Sequence, residues 1–273
     1  MRRREFVIGS AAFAFSHALA IARESPVRTP LMLDTKRLAI HDGPGIRTTF
    51  FVKGCPLHCM WCHNPESISP ERQTARFQHL CQHCAKCTMD EATCPTRALK
   101  FYGKPMTIDD LVKKALEDKP FYDRTGGGVT LSGGEPLFFW EWTAELLKRL
   151  KGVGLHTCLD TSLYAPSMAM DAVMPYVDMW LPDFKCEDDV THQKYTGVSN
   201  AVIKQNLERL VAAKAKLEVR CLVVPGCTDD MSARYTYLDS LGIPRSSVVE
   251  LEYHDYARSK YLSLGLKDTM PPK

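Results

Sequence analysis

The chain has 273 residues, long for one hydrophobic core and short for two, so one domain with a small insertion is expected. Its 45% hydrophobic and 25% charged residues are those of an ordinary globular protein. A net charge of +3 is too small to draw nucleic acid by bulk electrostatics, and no apolar run reaches membrane-spanning length. Eleven cysteines are the outlier, and seven fall between positions 55 and 94 at spacings suited to sharing a metal or cluster rather than cross-linking distant strands.

The N-terminal stretch MRRREFVIGSAAFAFSHALA starts basic, with Arg3 and Arg4 ahead of Phe6, runs apolar from Val7 to Phe15 and ends in Ala18-Leu19-Ala20. It reads either as a twin-arginine export signal or as a plain extension, and residues 1–30 stand outside the fold either way. From Leu31 on, strands are expected over 48–54, 127–133, 154–160, 177–185, 217–226 and 247–254, with helical patterns between them. Thr107 opens one helix with Asp110 as a capping-box partner. A second repeats Phe139, Trp142, Leu146, Leu147 and Leu150 on one face. In a third, Asn200 is expected to cap a stripe of Val202, Leu207, Leu210 and Val211.

Strand–helix alternation repeated about six times predicts an α/β fold with a parallel sheet, open or curled into a partial barrel. The polar and glycine-rich motifs follow the strands, where such folds place their chemistry. Residues 68–104, rich in Cys, His, Gln and Arg, show neither period and form the insertion.

Cys55, Cys59 and Cys62, in GCPLHCMWCHNPES, are spaced C-x3-C-x2-C. Three thiolates suit zinc, with His58 or His63 as a fourth ligand, or three corners of a [4Fe–4S] cluster whose fourth iron stays open for an exogenous ligand. CPLHCMWC resembles the cluster motif of radical S-adenosylmethionine (radical SAM) enzymes. The wider HDGPGIRTTFFVKGCPLHCMWCHNPES resembles the glycyl-radical-enzyme activases, to which pyruvate formate-lyase activase belongs; the likeness runs from about Leu31 to Leu266.

The resemblance implies a partial (β/α)6 barrel of the radical SAM type, with a ferredoxin-like insertion. It implies reductive cleavage of S-adenosylmethionine (SAM) to methionine and a 5′-deoxyadenosyl radical, which takes a hydrogen atom from a glycine of a partner glycyl radical enzyme. LSGGEP follows an expected strand; its glycines let the backbone approach a ligand, and the carboxylate of Glu135 accepts from an ammonium group. By resemblance Gly133, Gly134 and Glu135 hold the amino group of SAM, while Trp61, His63, Asp160, Phe184, Arg220 and His254 border the cofactor. Asp183 and Lys185 lie between SAM and the incoming glycine loop and are the expected catalytic pair. Asp160, Thr161, the Leu181 carbonyl and Asp183 offer hard oxygens for a monovalent cation. Arg220 falls inside a strand, where a charge needs a partner: a carboxylate of SAM or of the protein.

In the insertion, Cys81, Cys84, Cys87 and Cys94 can close a site completely, as an electron-relay [4Fe–4S] cluster or a structural zinc. Larger activases carry two such motifs; this chain has one. Cys158, Cys186, Cys221 and Cys227 lack ligand spacing and are expected as free, buried thiols. Leu163 stands where the family tends to have glycine, and Glu252 and Ala257 depart from its LPYH-and-glycine pattern. A flavodoxin or ferredoxin would supply electrons. SAM, low-potential electrons and reduced thiols place the protein in the cytoplasm, against the export reading. Two other classes stay open, a radical SAM enzyme acting on a small molecule and a non-catalytic electron carrier; the Gly-Gly-Glu-Pro motif argues against the carrier.

Overall fold

The computed structural model describes residues 28–272, so the export-signal reading of the N-terminus lies outside the described residues. The strands among them are β1 (Leu31–Ala39), β2 (Arg47–Lys53), β3 (Gln73–Arg76), β4 (Leu99–Tyr102), β5 (Gly128–Gly133), β6 (His156–Thr161), β7 (Met179–Pro182), β8 (Val219–Val223) and β9 (Val248–Glu252). The helices are α1 (Ile108–Glu117), α2 (Lys119–Thr125), α3 (Trp140–Gly152), α4 (Ser167–Val173), α5 (Asp189–Thr196), α6 (Ala201–Ala212), α7 (Ser232–Ser240) and α8 (Arg258–Ser263). None of the described helices is long and apolar enough to cross a membrane.

β2, β5, β6 and β7 run parallel in that lateral order, with β1 antiparallel on the β2 edge. β8 and β9 pair in parallel, and isolated parallel bridges, Trp180 to Leu217 and Asp183 to Arg220, join β7 to β8. The period of two along each strand divides the sheet into two unlike faces. Phe50, Leu131, Leu159 and Trp180 form one lateral row, packed with Leu111, Leu146, Leu147, Leu150, Leu207 and Leu210 of the helices. The adjoining rows carry Thr49, Thr130 and Cys158, then Ser132 and Asp160, and turn to the other face.

That polar face is closed at one end by residues 40–46, between β1 and β2. Asp42 accepts from Thr49 at 2.7 Å through its carboxylate and from Thr130 at 2.6 Å through its carbonyl, and Pro44 O accepts from Arg47 at 3.0 Å. His41 O accepts from Arg220 of β8 at 2.7 Å. The loop therefore satisfies polar groups that the sheet alone would leave bare.

The six expected strands are present, as is the Thr107–Asp110 capping box. β1 was not expected; it is an edge strand with an irregular burial pattern, and such strands lack a clean alternation. β3 and β4 form an antiparallel pair within residues 68–104, where the sequence shows no period. They are four residues each, too short to show one. Asn200 precedes α6 without capping it: its side chain donates to Cys186 O at 3.0 Å and Glu187 O at 2.7 Å instead. Val202 is 36% exposed, and Ile203 takes the inner position beside Leu207 and Leu210.

Candidate functional site

β2 ends in Lys53, whose ammonium is fully buried and donates to Glu66 O (2.7 Å), Ser69 O (2.7 Å) and Gln73 Oε1 (2.6 Å). Burial lowers its pKa to about 8. A lysine inside an apolar strand was a legible signal, of the same kind that marked Arg220, but its role as the anchor beneath the three-cysteine loop was missed.

The loop is tied on both sides. Cys55 N donates to Ile68 O at 3.0 Å, His58 N to Thr196 O at 2.8 Å and Met60 N to Tyr195 O at 2.9 Å, which fastens it to the end of α5. From the C-terminal segment, Tyr261 Oη donates to Cys62 O (3.2 Å), Lys260 Nζ to His63 O (3.0 Å) and Thr269 Oγ1 to Met60 O (2.8 Å). Burial pushes all three thiols up, Cys62 to about 12; neighbouring cysteines add to it at Cys55 and Cys62, and Asp183 adds to it at Cys59. The Lys185 ammonium acts the other way on Cys59 and Cys62. Soft sulfurs are donors of the kind that suit a metal cluster, which they join as thiolates.

The glycines of LSGGEP serve the crossing of two backbones. A Cβ on Gly133 would stand 2.4 Å from Val52 N, and one on Gly134 2.3 Å from Gly54 O. Gly134 N and Glu135 N donate to Val52 O and Gly54 O, each at 2.8 Å, so this segment clasps the start of the cysteine loop. Glu135 departs from the expected role of its side chain. It is 0% exposed, and its two oxygens accept from Leu137 N (2.9 Å), Thr161 Oγ1 (2.6 Å), Ser162 N (2.8 Å) and Ser162 Oγ (2.5 Å). Four donors fill its acceptor capacity, leaving none for an ammonium group.

At the ends of β6, β7 and β8 the expected charges do come together. Ser132 Oγ donates to Asp160 at 2.6 Å, and Arg220 reaches Asp160 and Glu218 at 3.6 Å each. Lys185 Nζ donates to Asp183 at 2.9 Å, and Asp183 N donates to Thr161 O at 2.9 Å. Burial raises the pKa of Asp160 to about 6 with the nearby Asp183 carboxylate adding to it, while Arg220 opposes both. Lys185 is raised: burial lowers it, but Asp183 and the sulfurs of Cys59 and Cys55 outweigh that.

Two expected cofactor contacts are core side chains. Trp61 is buried among Val224, Tyr253, Ala257, Tyr261 and Met270, and Phe184 is buried with its ring 5.3 Å from that of Tyr237. Their size and apolarity placed them in packing, which motif position alone does not reveal. His63 and His254 do meet: the rings stack at 3.9 Å, His63 Nε2 bonds His254 O at 2.6 Å, and the exposed Tyr256 extends the stack at 4.5 Å. Leu163 holds the left-handed φ of 61° that glycine takes without strain. Its carbonyl accepts from the Asn206 amide at 2.8 Å, and its side chain lies in the core. Cys81, Cys84, Cys87 and Cys94 line one cavity of about 270 Å3 with His83 and Lys86. Cys158 and Cys221 are buried as expected, whereas Cys186 and Cys227 are partly exposed.

A family model described as "4Fe-4S single cluster domain" matches residues 41–193. The chain is 37% identical over 271 residues to (2S)-3-sulfopropanediol dehydratase activating enzyme of Klebsiella oxytoca, covering 86% of each. It is 34% identical over 274 residues to benzylsuccinate synthase activating enzyme of Thauera aromatica, covering 88% of this chain and 83% of the relative. The crystal structure of Streptococcus suis SuiB bound to precursor peptide SuiA matches with a TM-score of 0.52 at 13% identity, over 78% of this chain and 40% of that one, a likeness of fold alone.

Parallel strands ending at a three-cysteine loop with a lysine–aspartate pair beside it, in a chain with these relatives, define a radical SAM enzyme. The chain belongs to the glycyl-radical-enzyme activating enzymes, which generate a glycyl radical on a partner enzyme.

Proposed function

We propose that Cys55, Cys59 and Cys62 hold a [4Fe–4S] cluster with one iron open to SAM, and that Asp183, Lys185, Asp160 and Arg220 set the cofactor against a glycine of the partner. The nearness of the three-cysteine loop to the Lys185–Asp183 pair carries this reading. When bound, the cluster and SAM supply one-electron cleavage of the sulfonium and the acceptor for the glycine hydrogen atom. The residues of the chain supply position and charge. Lys185, held by Asp183, sets a fixed positive charge beside the cysteines. Arg220 offers a guanidinium to a cofactor carboxylate while Asp160 and His41 O hold it in place. With the Glu135 side chain committed elsewhere, the main-chain carbonyls around Gly133 and Gly134 are the acceptors left for the cofactor's ammonium group. His63 and His254 offer ring faces to the adenine end.

The sheet is read as a partial (β/α)6 barrel. Flat, β2 and β8 would stand about 19 Å apart, four strand spacings. Yet the adjacent residues Asp42 and His41 bond Thr49 of β2 and Arg220 of β8, which supports a sheet that curls. The cavity shared by Cys81, Cys84, Cys87 and Cys94 supports a second [4Fe–4S] cluster, a relay for electrons from a flavodoxin or ferredoxin. Asp160, made harder to ionise by burial and by the nearby Asp183 carboxylate, suits a monovalent cation held between the two. The insertion favours a partner from the diol-dehydratase, decarboxylase or amine-lyase group, and a dehydratase stands in the name of one relative. The supplies that this chemistry draws on argue for the cytoplasm.

The test is anaerobic. After reconstitution with iron and sulfide, dithionite and SAM are added, and 5′-deoxyadenosine is quantified for the native chain and for Cys59→Ala. Product from the native chain alone is expected, with a glycyl radical signal once the right partner is present. Equal product from both chains would overturn the assignment of the loop. Iron should reach about eight per chain if the insertion carries a cluster, and about four, with zinc, if it does not.

A further inference from the structure

The joint between β7 and β8 is the thinnest in the sheet. Where β2 and β5 pair along six residues, β7 and β8 share only isolated bridges, whose hydrogen bonds include Trp180 N to Lys216 O, Glu218 N to Trp180 O and Phe184 N to Arg220 O. The residues proposed to face the cofactor lie on both sides of this joint, Asp183 and Lys185 after β7 and Arg220 on β8. A shift across it would change their spacing directly.

Arg234, on α7, reaches the same place. It is 2% exposed, and all of its hydrogen bonds among the described residues end on main-chain carbonyls: Leu222 O of β8 at 2.9 Å, Lys185 O at 3.4 Å and Thr228 O. Burial of a guanidinium is costly unless its donors are filled, and here the groups that fill them belong to the two strand ends and the turn that follows. The planar fork has a fixed geometry, so it holds these carbonyls at fixed separations. Sheet hydrogen bonds that the ladder lacks at this joint are in effect supplied by one side chain. Its position in a helix sequence, SARYTYLDS, carries no signal of this kind.

We infer that Arg234 is a positioning residue of the SAM site: by clamping the Lys185 and Leu222 carbonyls it sets the Lys185–Asp183 pair against Arg220 and the cluster cysteines. The inference rests on the proposed reading of Lys185 as a residue of that site.

A double-mutant cycle tests it on the reconstituted enzyme. SAM affinity is measured by anaerobic equilibrium dialysis, the reduced cluster with SAM by low-temperature electron paramagnetic resonance, and stability by the melting temperature. The variants are Arg234→Lys, Arg234→Met, Lys185→Met and the Arg234→Lys/Lys185→Met pair; the lysine variant keeps the charge and the fold in case the methionine variant does not fold. Arg234→Lys is expected to weaken SAM binding about tenfold and to broaden the SAM-bound spectrum while it melts close to native. In the Lys185→Met background the same change should add less than about twofold, because the clamp then has nothing to position. Native SAM affinity in Arg234→Lys, with affinity lost in Lys185→Met, would overturn the inference and leave the site reading intact. Full multiplication of the two losses would also overturn it, since Arg234 would then act independently of Lys185. Native affinity in Lys185→Met would remove the site reading and the inference with it.

Discussion

Glu135 sits where water does not reach, and its carboxyl is raised by burial although Ser162, Thr161 and Leu137 all donate to it. Such a group is a structural tie between the segment after β5 and the end of β6. In Glu135→Gln an amide N–H group would confront a donor, so the variant should lose about 1–3 kcal/mol of stability. Its SAM affinity, measured on folded protein, should stay native. A loss of affinity at an unchanged melting temperature would return the side chain to the cofactor. Asp118, at the junction of α1 and α2, is the opposite case. Hydrogen bonds from Arg37 and from Thr48 Oγ1, the latter at 2.6 Å, hold its carboxyl below the ordinary range despite burial. The unfolded chain therefore binds the proton more readily than the folded one. The pair stabilises the fold above about pH 4, and that contribution is lost as pH falls through the lowered folded value. Melting curves from pH 3 to 7 should show this acid limb in the native chain and a flatter one, from a lower start, in Asp118→Asn. Identical limbs would mean that the pair contributes nothing to it.

At the scale of elements, the C-terminal segment acts as a strap across the cysteine loop. Tyr261, Lys260 and Thr269 take three successive stretches of its backbone, and Met270 packs with Trp61 behind it. Arg258 and Tyr253 fasten the tail in turn, through Pro271 O and Asp268. Deletion of residues 268–273 should therefore loosen the three-cysteine loop while the insertion keeps its cysteines in place. Iron retained after gel filtration should fall from about eight to about four per chain. Full retention would show that the tail is dispensable to the loop. The elements themselves were unevenly legible. β2, β5 and β8 are rich in β-branched and apolar residues and largely buried, as parallel strands are, whereas β9 is β-branched at its start yet has no buried residue. β3, reading QTAR, is stabilised by its partner β4 and not by its own composition.

For the whole molecule, the contrast between the well-paired strands β2, β5 and β6 and the sparse β7–β8 joint predicts where the fold opens first. In native-state hydrogen exchange, the Phe184 and Glu218 amides that cross the joint should exchange before those of Val129 and Leu131, because local opening is cheapest where few hydrogen bonds break together. Equal protection across all of them would make the sheet one cooperative unit.

The cysteine spacings, the strand–helix rhythm and the strand-end placement of Asp160, Asp183 and Lys185 were readable from the chain, since donor identity, short spacing and periodicity are local properties. The resemblance that rests on those motifs led to the family. Which side chains remain free to meet a ligand was decided only by tertiary structure. Glu135, Trp61 and Phe184 occupy motif positions yet are consumed by hydrogen bonds or packing. Lys53 and Tyr261 hold the three-cysteine loop through contacts that their positions in the chain do not announce. Burial and the saturation of donors and acceptors arise between residues far apart in the chain, and only the folded arrangement brings those partners together.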